Sequence, residues 1–344
     1  MLADLSPSSL ATRPATGTQA RPRVVVEALE PVEERLAGLE AGLLAQPAWI
    51  SPKFFYDEQG CALYNAICQL AEYYPTRLEN AICATHRAEI ASYLPSAGQW
   101  VDLGCGDGHK SWPWLGVTMA TRYVGVDIAP EWLRQTLRSG MRQFPQVEFL
   151  GIVTDFTRPL HLQAILRSNS GLPPVFFYPG SSIGNFEPAA ALALLTSIRG
   201  HLGREGRLLI GVDAPKDPAI LEAAYDDALG VTAAFNRNVL RVVNRALDCD
   251  FEPRHFRHRA WFNEAESRVE MLLVADRLQH VRIGSRLRDF APGDAIITEY
   301  SYKYTPARFE ALLAQAGFAM LRRWSDERGW FHLYVAAPLE GDPQ

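Results

Sequence analysis

The run Trp100-Val-Asp-Leu-Gly-Cys-Gly-Asp-Gly-His-Lys-Ser-Trp112 carries the residues best suited to hold a ligand. Apolar residues lead into Asp102, and Gly104, Gly106 and Gly108 follow at alternate positions before a segment of helical spacing. A strand, tight turn and helix start of this kind needs glycine, because the backbone takes positive φ and must admit a ligand without a Cβ in the way. The spacing is G-x-G-x-G behind an acid, not the G-x-G-x-x-G of a dinucleotide-binding loop. Tyr123-Val-Gly-Val-Asp-Ile128 is then a short apolar strand ending on Asp127, roughly 20 residues past the loop, where a ribose-binding carboxylate belongs. A further strand, Val147 to Val153, runs into Asp155-Phe156. Acids at the ends of successive strands converge on one crevice. Cys105, inside the loop, reads as the small residue the turn requires rather than as a nucleophile.

The acid-preceded loop resembles the first motif of the class I S-adenosylmethionine-dependent methyltransferases. In that superfamily an Asp-aromatic pair such as Asp155-Phe156 sits beside the adenine, the acid accepting from its exocyclic amine.

Composition fits a catalytic core with a sizeable insertion: 344 residues, 48% hydrophobic and 21% charged. With a formal net charge of -5 and no basic stripe, nucleic acid is not an expected partner. No apolar run approaches the roughly 20 residues that span a bilayer, so neither a membrane nor a secretory route is expected. The five cysteines, Cys61, Cys68, Cys83, Cys105 and Cys249, are odd in number and form no C-x-x-C pair, which predicts reduced thiols in a cytoplasm. Eight scattered histidines without H-E-x-x-H give no metal site, and His255 with His258 reads as a solvated face.

The elements that must position the crevice follow in order. Residues 1–22, rich in Ser, Thr, Ala and Pro, are expected to be a disordered tail. Apolar spacing predicts a helix from Val32 to Leu44. In Glu72-Tyr-Tyr-Pro-Thr-Arg77 the proline is expected to stop a helix and Thr76 to cap the next. Val175 to Tyr178 and Arg207 to Asp213 complete five parallel strands. Pro218 to Asn244 is helical by pattern, Arg257 to Ile283 alternates as strands do, and a hairpin from Ala319 to Ala336 closes the chain.

Three strings carry a closer resemblance: Phe54-Phe-Tyr-Asp57, Glu72-Tyr-Tyr-Pro-Thr-Arg77 and Gly180-Ser-Ser-Ile-Gly-Asn-Phe-Glu187. Together they resemble the L-histidine Nα-methyltransferase family of ergothioneine biosynthesis, from about residue 28 to the C-terminus. The resemblance implies an α/β fold: a Rossmann-like class I methyltransferase core, with a mostly parallel seven-stranded sheet and a C-terminal antiparallel hairpin, plus a smaller α+β substrate-binding domain. Residues 79–215 and 304–344 would form the S-adenosylmethionine-binding core, and residues 23–78 and 216–303 the substrate-binding lid.

The resemblance also implies roles. Tyr56 would lie by the reacting amine. Asn185 and Tyr225 would bind the substrate carboxylate; Tyr73, Glu299 and Ser301 would hold the imidazole, with Met271 packed against it and Tyr64 at the pocket rim. Gly104, Gly106 and Lys110 would meet the methionine end of the cofactor, Asp127 its ribose, and Asp155 with Phe156 its adenine. Glu299 and Ser301, two apart on a strand, point to one face and can act together. Tyr64 stands where relatives carry phenylalanine, and His109 replaces an acid ahead of Lys110; both bear on cofactor affinity more than on reaction class.

The implied enzyme trimethylates the α-amine of L-histidine to hercynine with S-adenosylmethionine as donor, as a cytoplasmic monomer. Methyl transfer needs the amine neutral and aligned, and tyrosine hydroxyls suit it better than a carboxylate, which would favour the ammonium. The alternatives are another amino-acid acceptor such as arginine, a nicotinamide-dependent oxidoreductase on the same sheet, and a S-adenosylmethionine-binding regulator without turnover.

Overall fold

The computed structural model describes residues 22–27, 29–155, 158–167 and 171–339; the N-terminal tail and Phe156 lie outside them. Its strands, in chain order, are β1 (Arg23–Val26), β2 (Ala48–Trp49), β3 (Gln99–Leu103), β4 (Arg122–Asp127), β5 (Glu148–Val153), β6 (Pro174–Tyr178) and β7 (Arg207–Asp213). There follow β8 (Phe256–Asn263), β9 (Arg268–Ala275), β10 (Gln279–Ile283), β11 (Arg286–Phe290), β12 (Ala295–Tyr302), β13 (Phe318–Ser325) and β14 (Phe331–Pro338).

The main sheet has eight strands in the order β1-β5-β4-β3-β6-β7-β14-β13. Its central strands are apolar on both faces; every residue of β3 and β6 is buried, the signature of parallel strands covered by crossover helices. β14 pairs antiparallel with β7, and β13 with β14, which is the closing hairpin. Seven strands were expected, and the eighth is β1, whose Val-rich run pairs parallel with β5 at the sheet edge. The segment assigned from sequence to the lid therefore begins inside the main sheet.

The boundary at residue 79 also falls within a helix, Tyr74–Ser92. Pro75 starts this helix instead of ending one, because proline's missing N–H costs nothing in a first turn. Tyr73 is the capping residue, so Thr76 is not.

A second, four-stranded sheet runs β2-β12-β9-β8, with β10 and β11 as a separate hairpin. Two helices pack on it, Pro218–Tyr225 and Val231–Leu247. They read as one helical stretch in sequence but are two: Gly230 takes φ 73°, and the Asp227 carboxylate accepts from the backbone N–H groups of Val231 (3.0 Å) and Thr232 (2.7 Å), capping the second. His258 is buried, contrary to the solvated face expected of it. Alternation along β8 turns Phe256, His258 and Ala260 inward, and the imidazole bridges the Tyr225 carbonyl and the Asn236 side-chain amide, both at 2.8 Å.

The two sheets meet at Asp213, the last residue of β7. Its carboxylate accepts from Tyr74 Oη (2.7 Å) and is paired with Lys216 (2.5 Å) and with Lys303 (3.0 Å), just past the end of β12. All four groups are buried or nearly so. Burial works to raise Asp213, but Lys303 and Lys216 outweigh it and hold the carboxyl below its usual range. Removing one member of such a cluster strands the others in a low dielectric. Asp213→Ala is expected to cost about 3–5 kcal/mol in urea unfolding, whereas the exposed Asp107→Ala should leave the midpoint almost unchanged.

Candidate active site

The loops at the carboxyl ends of β3, β4, β5 and β6 open onto a cleft of about 1900 Å³, its mouth included. Gly104, Gly106 and Gly108 all take positive φ (68°, 51° and 77°), and a Cβ on Gly108 would strike the Trp112 ring at 2.2 Å. Asp127 is fixed at its strand end by the N–H groups of Gly106 (3.2 Å) and Ala129 (3.0 Å), so it meets the cleft as an oriented acceptor. Gly104, Gly106, Lys110, Asp127 and Asp155 line this cleft; Phe156 lies outside the described residues. Such a set suits a nucleoside with an attached cationic chain: an acceptor for hydroxyls, another acid at the next strand end, and a loop open enough for close approach.

The third of the convergent acids, Asp102, has a different task. It is buried, accepts from Ser111 (2.6 Å) and Tyr123 (2.8 Å), and is pushed up to about 7 by burial against those hydrogen bonds. It ties the loop to the strands beneath. Cys61, Cys68 and Cys105 also border the cleft as free thiols, each with its pKa raised, chiefly by burial.

A smaller cavity of about 530 Å³ adjoins the cleft beneath the second sheet. The structure brings together in it Tyr56, Tyr64, Tyr73, Asn185, Tyr225, Met271, Glu299 and Ser301, which lie far apart in the chain. Tyr56, Tyr64, Gly180, Ser182 and Asn185 border both spaces and form their common wall.

Each element has a reason to be where it is. Tyr56 precedes the helix Glu58–Ile67, which Asp57 caps through Gly60 N–H (2.8 Å). The same carboxylate accepts from Asn238 (2.8 Å), docking this corner on the helix Val231–Leu247. Asn185 ends a short 3₁₀ turn, Ser182–Asn185, packed so closely on β12 that a Cβ on Gly184 would lie 2.6 Å from the Tyr302 carbonyl oxygen. Glu299 and Ser301 keep to one face of β12 despite a register shift between Ile297 and Glu299.

The electrostatics favour neutral groups around the cavity. Burial, then the Glu299 and Asp127 carboxylates, hold Tyr56 well above the ordinary tyrosine pKa, so it is a phenol and not a standing base. Burial pushes Glu299 up to about 7, with the Lys303 ammonium working against it. Burial, then the Asp213 and Glu299 carboxylates, likewise raise Tyr225, against Lys303.

Some functional residues were not found from sequence. Lys303 donates to Tyr225 (2.8 Å) and to Ser301 (2.9 Å) from behind the cavity. Its signal was available: Glu299, Ser301 and Lys303 alternate in one string. Glu79 is buried and accepts from Gly180 N–H (2.9 Å) and Lys110 (2.7 Å), joining the glycine loop to the Asn185 loop. Lys53 bridges Asp155 (3.3 Å) and Glu30 at the end of the cleft beyond β5. The last two contacts span distances in sequence that no local pattern encodes.

A family described as histidine-specific, SAM-dependent methyltransferases matches residues 35–338 of this chain. The histidine N-alpha-methyltransferase of Mycobacterium tuberculosis is 40% identical over 303 residues, 86% of this chain and 92% of that protein. That of Mycolicibacterium smegmatis is 40% identical over 304 residues, 87% of this chain and 93% of its own. Ergothioneine biosynthesis protein 1 of Neurospora crassa is 28% identical over 298 residues, 81% of this chain but 32% of that longer protein.

The close seat of the Asn185 turn on β12 has a direct test. Gly184→Ala should destabilise the protein by about 1–3 kcal/mol through overpacking and displace Asn185 from the common wall. Methyl transfer is expected to fall more than S-adenosylhomocysteine affinity, measured by steady-state kinetics and calorimetry on the same preparation.

Proposed function

The chain belongs to the SAM-dependent, histidine-specific methyltransferase family, and from that membership we propose that it transfers three methyl groups in succession to the α-amine of L-histidine, yielding hercynine in ergothioneine biosynthesis. It is a methyltransferase with S-adenosylmethionine as its donor. The observation that carries the acceptor assignment is the pair of adjoining cavities whose common wall includes Tyr56 and Asn185.

When bound, S-adenosylmethionine supplies an electrophilic methyl group on a sulfonium. The residues do the rest. Asp127 takes the ribose hydroxyls, Asp155 and Phe156 the adenine, and Gly104, Gly106 and Lys110 the methionine end. Asn185 and Tyr225 receive the substrate carboxylate as neutral donors. Glu299, Ser301 and Tyr73 bind the imidazole with Met271 against its face, and Tyr64 closes the rim. Tyr56, kept protonated, accompanies the amine without stabilising its ammonium form, which leaves the nitrogen lone pair free for in-line attack. Repeated transfer needs room rather than a fixed charge, and an aromatic, hydroxyl-lined wall provides it.

The division of labour follows the two sheets. Residues 79–215 and 304–344 serve as the cofactor-binding core, and residues 23–78 and 216–303 as the acceptor-binding lid, with β1 as the part of the lid segment that joins the core sheet. The protein is read as a cytoplasmic monomer acting on a free amino acid.

Glu299→Ala separates acceptor from donor. Histidine affinity should fall roughly 10- to 100-fold, while binding of S-adenosylhomocysteine is kept; equal loss of both would contradict the assigned role. Asp127→Ala should give the converse pattern. Calorimetry of histidine and arginine against the enzyme loaded with S-adenosylhomocysteine tests the acceptor itself, and heat with arginine alone would reject histidine.

A further inference from the structure

Lys303 is completely buried, and its three ammonium hydrogens have three oxygens within reach: Tyr225 Oη at 2.8 Å, Ser301 Oγ at 2.9 Å and Asp213 Oδ2 at 3.0 Å. Tyr225 Oη and Ser301 Oγ also bond each other at 2.8 Å. A hydroxyl has one hydrogen and two lone pairs. Lys303 takes one lone pair from each, and the mutual bond takes one hydrogen and one more lone pair. What remains for a ligand is one hydrogen on one oxygen and one lone pair on the other. While they stay bonded, the couple can donate at one site and accept at the other, but it cannot donate at both.

This count has a consequence for the acceptor reading above, on which it rests. A substrate carboxylate can only accept, so Tyr225 donates to it, and Ser301 is left as an acceptor. The imidazole must then present an N–H to Ser301. A neutral ring has only one N–H, so with the Tyr73 hydroxyl hydrogen-bonded to Tyr64 its other nitrogen would meet Glu299 with a lone pair. An ionised Glu299 would oppose that lone pair with its own inside a buried cavity, an arrangement with no hydrogen bond at all.

A proton between them removes the conflict, whether it sits on the ring or on the acid. We propose that the histidine ring and Glu299 bind as a proton-sharing pair, carrying one proton more than a neutral ring beside an ionised carboxylate, because the Lys303-bound Tyr225–Ser301 couple offers one donor and one acceptor. The local charge agrees. With the reacting amine neutral, Asp213, Glu299 and the substrate carboxylate oppose Lys303 and Lys216, leaving one negative charge that the shared proton neutralises.

The surroundings leave the proton on this pair. Tyr56, Tyr73 and Tyr225 share the cavity and are all held protonated, chiefly by burial. Lys303 is raised by Tyr225 and Asp213 in spite of burial and stays charged. Glu299, raised to about 7 by burial, is close to the ordinary imidazole value of about 6.5. The reacting amine gives its proton to solvent and the pair takes one from solvent, so free zwitterion and bound reactant carry the same number.

Proton counting by calorimetry tests this. L-histidine and its Nα-trimethylated product, whose amine cannot titrate, are each titrated at pH 8 into enzyme saturated with S-adenosylhomocysteine, in buffers of different ionisation enthalpy. The same is done with Glu299→Gln, whose amide imitates the protonated acid. Wild type is expected to take up close to one proton more than Glu299→Gln for either ligand, with the variant's affinity kept within about tenfold. Between pH 8 and 9, wild-type affinity for the trimethylated product should weaken about tenfold, and the variant's should not. Equal proton counts would overturn the proposal, including the case in which Lys216, pulled down to about 8 by burial, takes the proton instead. Failure of both ligands to bind would instead overturn the histidine reading.

Discussion

Asp213 joins the two halves of the molecule through charge. It stands at the tip of a core strand, where Lys216 three residues on, Tyr74 from a preceding helix and Lys303 from just past β12 close on it. A carboxylate buried so fully is tolerable only with its partners in place, so the junction has one good geometry and many poor ones. Lys303 carries that geometry onward to Tyr225 and Ser301. The smaller cavity is thus registered against the larger cleft by a charged pin and not by apolar packing alone, which would tolerate sliding.

A second joint stands close by, at the tip of the neighbouring strand β6. Glu79 holds the glycine loop's Lys110 and the backbone of Gly180 together. Gly180 belongs to the wall that the two cavities share, with Tyr56, Tyr64 and Asn185. The structure therefore satisfies two needs that usually conflict: charge is used to fix the frame, and the tyrosine-lined wall between the cavities is kept neutral. Tyr56 illustrates this, since burial keeps it a neutral phenol and a poor base.

Much of the core was legible because its signals are local. The glycine loop, Asp127 and the closing hairpin are encoded in runs of a few residues, and parallel strands announce themselves as continuous apolar stretches. The gathering of Tyr56, Asn185, Tyr225 and Glu299 was legible only through resemblance, because no spacing links them. What escaped had identifiable causes. Pro75 was read as a stop when its position in a first turn made it a start. The break after Tyr225 hid behind unbroken helical spacing, since Asp227 acts through capping and not through periodicity. His258 looked solvated because a lone histidine's partners, Asn236 and the Tyr225 carbonyl, lie on other elements. Glu79 and Lys53 reach across the fold, where sequence carries no record of the contact.

The thiols bordering the cleft acquire a meaning from what the cleft receives. A sulfonium donor is an alkylating agent, and a thiolate is the strongest nucleophile a protein side chain offers. Cys61, Cys68 and Cys105 all stand within that space, yet burial pushes Cys61 up to about 12 and raises the other two. Held as S–H, they are poor competitors for the methyl group. The burial that shapes the cleft wall thereby also leaves its sulfur atoms weakly nucleophilic toward an alkylating donor.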